Sequence, residues 1–398
     1  MKDLDPSRIG IIGPGRLGTA FAYKFGRDGK KIQIYHHDIE LCRAINRDHL
    51  NPRHFTESLA DILGGLDAVP RLSDDVTATN DLEEFVQTND YILLSVTMNR
   101  LPELMNYLRP LIARKEGGTC LISPIKGLAS DEKTRELITP SQLIHSRLAD
   151  LKQKYVLVSV GGPFFDVDIA LGNPTCLSVA GGKHAAITVM RLLKVNRREL
   201  NAYYNYDSVG IEACGALKNV VANLKGATDQ LDMGRSIGGT IFARAGVEIR
   251  SLTKLLGGSF QAFHSQAGVG DLYITVSSLA SKNYRYGKYF YEFYTGNPIE
   301  TSLAALKKID GTPEGPNTIR NVHRYLEKKN MYSPIFRSAY AIFNEGDSKE
   351  AIREQIIEAC QFDRRTREYI GPFSRALYRV IPNLWYRRES GFLSRIIL

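Results

Sequence analysis

Apolar positions along the chain keep two different spacings, and the change between them divides the sequence. "RIGIIG" (8–13) is a short apolar run that ends on glycine. "RLGTAFAYKFGRDG" (16–29) then places Leu17, Phe21 and Phe25 one helical turn apart and closes on Gly26 and Gly29, and "KIQIY" (31–35) alternates as a strand does. A strand, a glycine turn, a helix and a strand in that order predict a βαβ unit, and so a parallel sheet with helices on its faces. "DYILLSV" (90–96), "TCLISPI" (119–125), "YVLVSVGGP" (155–163) and "TCLSVAGG" (175–182) read as further buried strands, each ending in polar or turn residues. Past about residue 200 the period becomes helical, in "SVGIEACGALKNVVANLKGATDQL" (208–231), "TIFARAGVEIRSLTKLLG" (240–257) and "TIRNVHRYLEKK" (318–329). There only "SPIF" (333–336) reads as strand.

"GPGRLG" sets Gly13, Gly15 and Gly18 in a G-x-G-x-x-G frame between the first strand and the first helix. The first glycine permits the tight turn, the second admits a pyrophosphate to the backbone at a helix N-terminus, and the third lets helix and strand pack closely. The context points to a bound dinucleotide; a purely structural glycine turn is the alternative. The second strand ends "IYHHD". An acid there binds the ribose hydroxyl of NAD and a base accepts the 2′-phosphate of NADP, so His36, His37 and Asp38 leave both cofactors open. The expected architecture is α/β: a Rossmann-type doubly wound domain over 1–200, a mostly helical domain over 201–345, and an extension over 346–398.

Composition narrows the setting. The chain has 398 residues, 43% hydrophobic and 24% charged, which suits two globular domains. It contains no apolar run of roughly 18 residues, and "MKDLDPSRIG" has acids and a proline where a signal peptide is expected to have a basic start and an apolar core. Five scattered cysteines without a CxxC pair argue for a reduced, cytoplasmic setting and against a cysteine-based zinc site. Of the net charge of +9, part is local: residues 363–398 hold eight arginines against Asp363, Glu368 and Glu389. That weakens a nucleic-acid reading. The arginines alternate with Tyr369, Phe373, Tyr378, Trp385, Tyr386 and Phe392. Such a segment suits packing on the helical domain or on a second subunit, or peripheral contact with an anionic membrane.

Four segments carry chemistry. "SPIKGLAS" presents Lys126 at a strand end, and "GGPFFDVDIALGNPT" (161–175) is a second strand-end loop. "ALKNVVANLKG" places Lys218 and Asn219 in an otherwise apolar helix, where a lysine either reaches water or serves acid–base chemistry. "GVGDLYIT" offers Asp271 and Thr275 to orient that lysine, with a helix cap as the other reading of Asp271. "SKNYRYG" (281–287) concentrates Lys282, Asn283 and Arg285, a set suited to a small anion.

Taken in order from about residue 8 to 345, these segments resemble the NAD(P)-dependent glycerol-3-phosphate dehydrogenases. The likeness rests on the glycine loop, Lys126-Gly127, "GPFFDVDIALGNPT", "GIEACGALKNVVANLKG", "SQAGVGDLYITVSSLASKNYRYG", and Glu314-Gly315 with Thr318. It implies reversible hydride transfer between NAD or NADP and dihydroxyacetone phosphate, supplying glycerol 3-phosphate for phospholipid synthesis, by a cytoplasmic homodimer. Lys218 would be the general acid/base with Asp271 beside it. Lys126, Asn219, Thr275, Lys282 and Asn283 would bind substrate. Gly13, Gly15, Arg16, Leu17, Gly18, His37 and Glu314 would bind cofactor. The chain departs from the family pattern in four places: Lys282 replaces an arginine, Ser236 an asparagine, Phe164 a small residue and Asp168 a glutamate. A related dehydrogenase with another phosphorylated hydroxyketone or a hydroxyacid, or a dinucleotide-binding regulator without turnover, are the rival readings.

Overall fold

The β-branched run after Arg8 forms β1 (Ile9–Ile12), every residue of it buried. The structure, a computed structural model, describes residues 4–361 except 55, 70, 132–133, 195–197, 310 and 347. The aromatic and arginine-rich extension therefore lies outside the described residues from 362 onward. Among the described residues ten strands run in chain order: β1, β2 (Ile32–Tyr35), β3 (Val76–Thr79), β4 (Tyr91–Leu94), β5 (Thr119–Ser123), β6 (Ala129–Ser130), β7 (Leu137–Ile138), β8 (Tyr155–Gly161), β9 (Thr175–Gly181) and β10 (Leu200–Asn205). Among the described residues the chain separates into two compact units. The first holds Met1–Lys126 and Pro140–Glu212, and the second holds Gly127–Thr139 and the chain from Ala213.

In the first unit, eight strands form one sheet in the order β10-β9-β8-β5-β4-β1-β2-β3. β1 pairs in parallel with both β2 and β4, with Ile9 opposite Ile32 on one side and Tyr91 on the other. The connections thus run one way from β1 to β2 and β3 and the other way to β4 and β5. That reversal is the switch point at whose carboxyl ends doubly wound sheets bind ligands. The parallel expectation holds from β3 to β8. β9 pairs antiparallel with β8, and β10 parallel with β9, so the last two strands run against the rest. β3 and β10 were not expected as strands. Ile11, Phe21, Ile34, Cys120 and Val158, all buried, belong to one core cluster of this unit.

In the second unit, helices dominate. Ser208–Gln230 starts within the first unit and carries the Lys-Asn pair into the second. It is followed by the α-helices Arg235–Leu255, Asp271–Ser277, Lys282–Glu292, Pro298–Leu306, Gly315–Lys328, Pro334–Asn344 and Lys349–Cys360. "SPIF" is corrected here: Pro334 occupies the first helical turn, where its fixed φ suits a helix and its missing N–H costs nothing. Glu248 completes that start by accepting from the N–H of Ile335 at 3.0 Å and from the Ser333 hydroxyl at 2.6 Å. The small β6–β7 pair belongs to this unit. It packs on Gly315–Lys328, where Asn321 donates to the Leu128 carbonyl at 2.9 Å.

Candidate active site

The glycine loop of the first unit is built against β4. Gly13 has φ +89°, and a Cβ there would stand 2.6 Å from the Ser95 carbonyl oxygen; a Cβ on Gly18 would stand 2.3 Å from the Gly13 oxygen. Both positions therefore exclude a side chain. Around Gly15 there is open space, and the Arg16–Arg27 helix that follows has no side-chain cap. Its first N–H groups are left for an anion, which is how such a loop holds a pyrophosphate. The fully buried Asn51 braces the loop from below, donating to the Pro14 carbonyl at 2.6 Å and to the Thr19 hydroxyl at 2.9 Å. Sequence reasoning missed Asn51; the only trace of its role is an amide followed at once by proline.

Other cofactor candidates are placed less uniformly. Arg16 pairs with Asp166, and Leu17 packs against the core. His37 is exposed, with its ring 4.3 Å from that of His36. Asp38 accepts from the Glu40 N–H at 2.8 Å as a helix cap and also holds Arg53. Those two bonds, Arg53 first, keep its carboxyl below the usual range, while burial pushes the His36 imidazole down. Lys126, at the strand end, donates to the Gly162 carbonyl at 3.1 Å and lies over the Phe164 ring at 3.9 Å. Phe164, one of the departures from the family pattern, is thus a cation–π partner of Lys126. Asp168, another, accepts from the Asn173 amide at 2.8 Å.

In the second unit the Ser208–Gln230 helix is apolar almost all round, which drives it into the interior and takes Lys218 and Asn219 with it, each 5% exposed. Lys218 is almost wholly buried. Its ammonium pairs with Asp271 and donates to the Thr275 hydroxyl at 2.7 Å. Thr275 in turn donates to the Asp271 carbonyl at 2.6 Å. Asp271 is fully buried and opens the Asp271–Ser277 helix directly after a π-helical turn, Gln266–Gly270. It is not the helix cap, a position held by Gly270, so its carboxylate is spent on the lysine. The buried ammonium thus has an opposite charge and a hydroxyl set directly against it.

"SKNYRYG" is the start of a helix, Lys282–Glu292, capped by Ser281, which accepts from the Tyr284 N–H at 3.2 Å. Arg285 therefore falls one turn after Lys282 on the same helix. A Cβ on Gly311 would stand 2.4 Å from the Lys282 ammonium, so that ammonium lies directly on the loop before Glu314. Asn283 accepts from the Gly315 N–H at 2.9 Å, which ties the two motifs together. Glu314, half-buried, stands at the N-terminus of Gly315–Lys328. Ser236, in the first turn of Arg235–Leu255, is exposed.

A glycine cradle at the switch point of a doubly wound sheet, together with a buried Lys–Asp pair in a helical unit, defines a nicotinamide-dependent oxidoreductase. Comparison with known proteins gives the family. The model of the NAD-dependent glycerol-3-phosphate dehydrogenase N-terminus matches residues 8–187, and that of the C-terminus matches residues 207–354. A glycerol-3-phosphate dehydrogenase [NAD(P)+] of Halorhodospira halophila is 29% identical over 352 residues, covering 87% of this chain and 96% of that protein. The protein of the same name from Bacillus velezensis is 27% identical over 350 residues, covering 88% and 94%. A crystal structure of glycerol-3-phosphate dehydrogenase from Coxiella burnetii shares the fold at a TM-score of 0.75, with 22% identity, over 89% of this chain and 98% of that one. The chain belongs to the NAD-dependent glycerol-3-phosphate dehydrogenase family.

Proposed function

We propose that the protein interconverts dihydroxyacetone phosphate and sn-glycerol 3-phosphate with NAD or NADP, and so supplies the glycerol phosphate of phospholipids. The observation that supports this reading most is the Lys218–Asp271–Thr275 arrangement, a proton donor held in a dry site by one carboxylate and one hydroxyl. The residues fit a dinucleotide, since Gly15 and the uncapped helix behind it form an open cradle of N–H donors. When bound, the reduced nicotinamide supplies a hydride to carbon 2 of the ketone. Lys218 gives its proton to the oxygen on that carbon as negative charge develops there, and takes it back in the reverse direction. Asp271 keeps the ammonium charged and aimed, and Thr275 fixes its direction. Lys126 and Asn219 hold substrate oxygens, while Lys282 and Asn283 bind the phosphate by charge and amide donation. Arg16, Leu17, His37 and Glu314 complete the cofactor set together with the three glycines.

The same reading takes the protein as a cytoplasmic homodimer, which light scattering on the purified chain checks. No helix among the described residues is long and apolar enough to cross a membrane. The proposed tail contact with anionic lipid is tested by sedimenting full-length and 1–361 chains with phosphatidylglycerol vesicles. For the activity, the purified chain is incubated with NADH or NADPH and dihydroxyacetone phosphate, and the product is identified. Formation of sn-glycerol 3-phosphate is expected. Turnover of a different ketone, with none of this one, would overturn the substrate assignment.

A further inference from the structure

The helix that carries Lys218 and Asn219 holds a second buried amide, Asn223, to which the reaction gives no task. It is 0% exposed and lies one turn beyond Asn219. With its Nδ2 facing the carbonyls, it donates to the backbone oxygen of Asn283 at 3.0 Å and to that of Asn219 at 3.2 Å. One side chain thus bridges the acid–base helix and the helix of "SKNYRYG". A buried amide does this with a direction that an apolar side chain of the same size lacks.

The backbones around Asn223 leave it little choice of position. A Cβ on Gly287 would stand 1.8 Å from the Asn223 carbonyl oxygen, and one on Gly226 would stand 2.0 Å from the Tyr284 oxygen. The two helices therefore touch backbone to backbone at this crossing. A Cβ on Gly315 would stand 2.4 Å from the Asn223 amide, so a third helix start closes the remaining side. Asn283 is fixed at both ends: its backbone oxygen accepts from Asn223, and its side-chain oxygen accepts from the Gly315 N–H. The side-chain Nδ2 of Asn283 is then the end turned to other partners, and it is the end that can donate to a phosphate oxygen.

We propose that Asn223 is a positioning residue for the substrate phosphate, holding Lys282 and Asn283 in register with the helix that bears Lys218. The proposal deepens the dehydrogenase reading and rests on it. Serine at 223 separates the two bonds. Its hydroxyl can still reach the carbonyl one turn back on its own helix but is too short for Asn283.

The test is steady-state kinetics of the full chain with dihydroxyacetone phosphate for wild type, Asn223→Ser, Asn283→Ala and the double variant. Asn223→Ser is expected to raise KM for the ketone roughly tenfold, with kcat within about twofold, as the loss of one buried bond made equally in ground and transition states. KM for the nucleotide should stay put, and the KM of the double variant should rise by less than the product of the two single effects, since part of what Asn223 holds is the Asn283 side chain. Should serine fail to fold, Asn223→Ala, which adds no bulk, is expected to show the same split. An unmoved KM, a fall in kcat at constant KM, or effects that multiply in the double variant would overturn the role of Asn223. Absence of wild-type turnover removes the dehydrogenase reading and the inference with it; an active wild type with an unmoved variant removes the inference alone.

Discussion

Asp271 carries the sharpest consequence at the residue scale, because its carboxylate is fully buried and set against an ammonium that is almost so. Removing one member of such a pair strands the other charge away from water, at a cost of about 3–5 kcal/mol. Asp271→Ala is therefore expected to lower the urea midpoint strongly. Replacing both members, as Lys218→Met with Asp271→Leu, should restore most of the stability and none of the activity; recovery of turnover in that double variant would remove the pair from the chemistry. This pairing was only partly legible in the sequence. A lysine in an apolar, small-residue helix signalled that something unusual sat there, but its partners lie 53 and 57 positions away, where no helical or strand period reaches. Asn51, Asn223 and Glu248 were missed for the same reason. Each is one polar residue whose task is to satisfy a distant backbone, and the faint signal is its polarity at a position that folds inside.

At the scale of elements, the crossing of Ser208–Gln230 with Lys282–Glu292 is set by glycines rather than by side chains. The atoms that a Cβ at Gly287 would meet are the Asn223 backbone oxygen and carbon and the Ala227 nitrogen, none of which can rotate away. Gly287→Ala must therefore push the helices apart. We expect a loss of about 1–3 kcal/mol in stability, as for other overpacked contacts, and a raised KM for the phosphate-bearing substrate. An unchanged melting temperature would show that the helices are not held by this contact. The elements themselves were legible where their period was long and their ends marked, as in the βαβ start and the long helices. "SPIF" failed because a short apolar run with a proline fits either state, and the helix was decided by Glu248 from elsewhere in the chain. β3 failed because "VTAT" (76–79) has only Val76 as a large apolar residue, and β10 because its tyrosines face outward at the sheet edge, with Tyr203 and Tyr204 exposed.

Across the whole molecule, two units share one chain, and Gly127–Thr139 leaves the first to join the second. A sequence read in order cannot foresee such an excursion, since the segment is too short to bear a core of its own. One global property follows from a single buried group. Burial pushes the Glu248 carboxyl up to about 7, while bonds from Ser333, Ile335 and Phe336 and the charge of Arg244 pull it back. Between its ordinary value and about 7 the folded state holds a proton that the unfolded state has released. This group's contribution to stability is therefore fully present at lower pH and is lost as pH rises through that window. Denaturant midpoints of wild type against Glu248→Gln, compared at about pH 5 and about pH 7.5, should show the downward slope only in the wild type; parallel slopes would contradict the assignment.

The central claim is that the buried ammonium of Lys218 moves the proton in a dehydrogenase acting on dihydroxyacetone phosphate. It is tested most directly by following the nicotinamide absorbance of NADH or NADPH with that ketone, for wild type and for Lys218→Ala. Steady loss of absorbance with wild type is predicted, with kcat reduced by roughly 10²–10⁴ in the variant. A variant that turns over at the wild-type rate, or a wild type that oxidises neither nucleotide, would contradict the account.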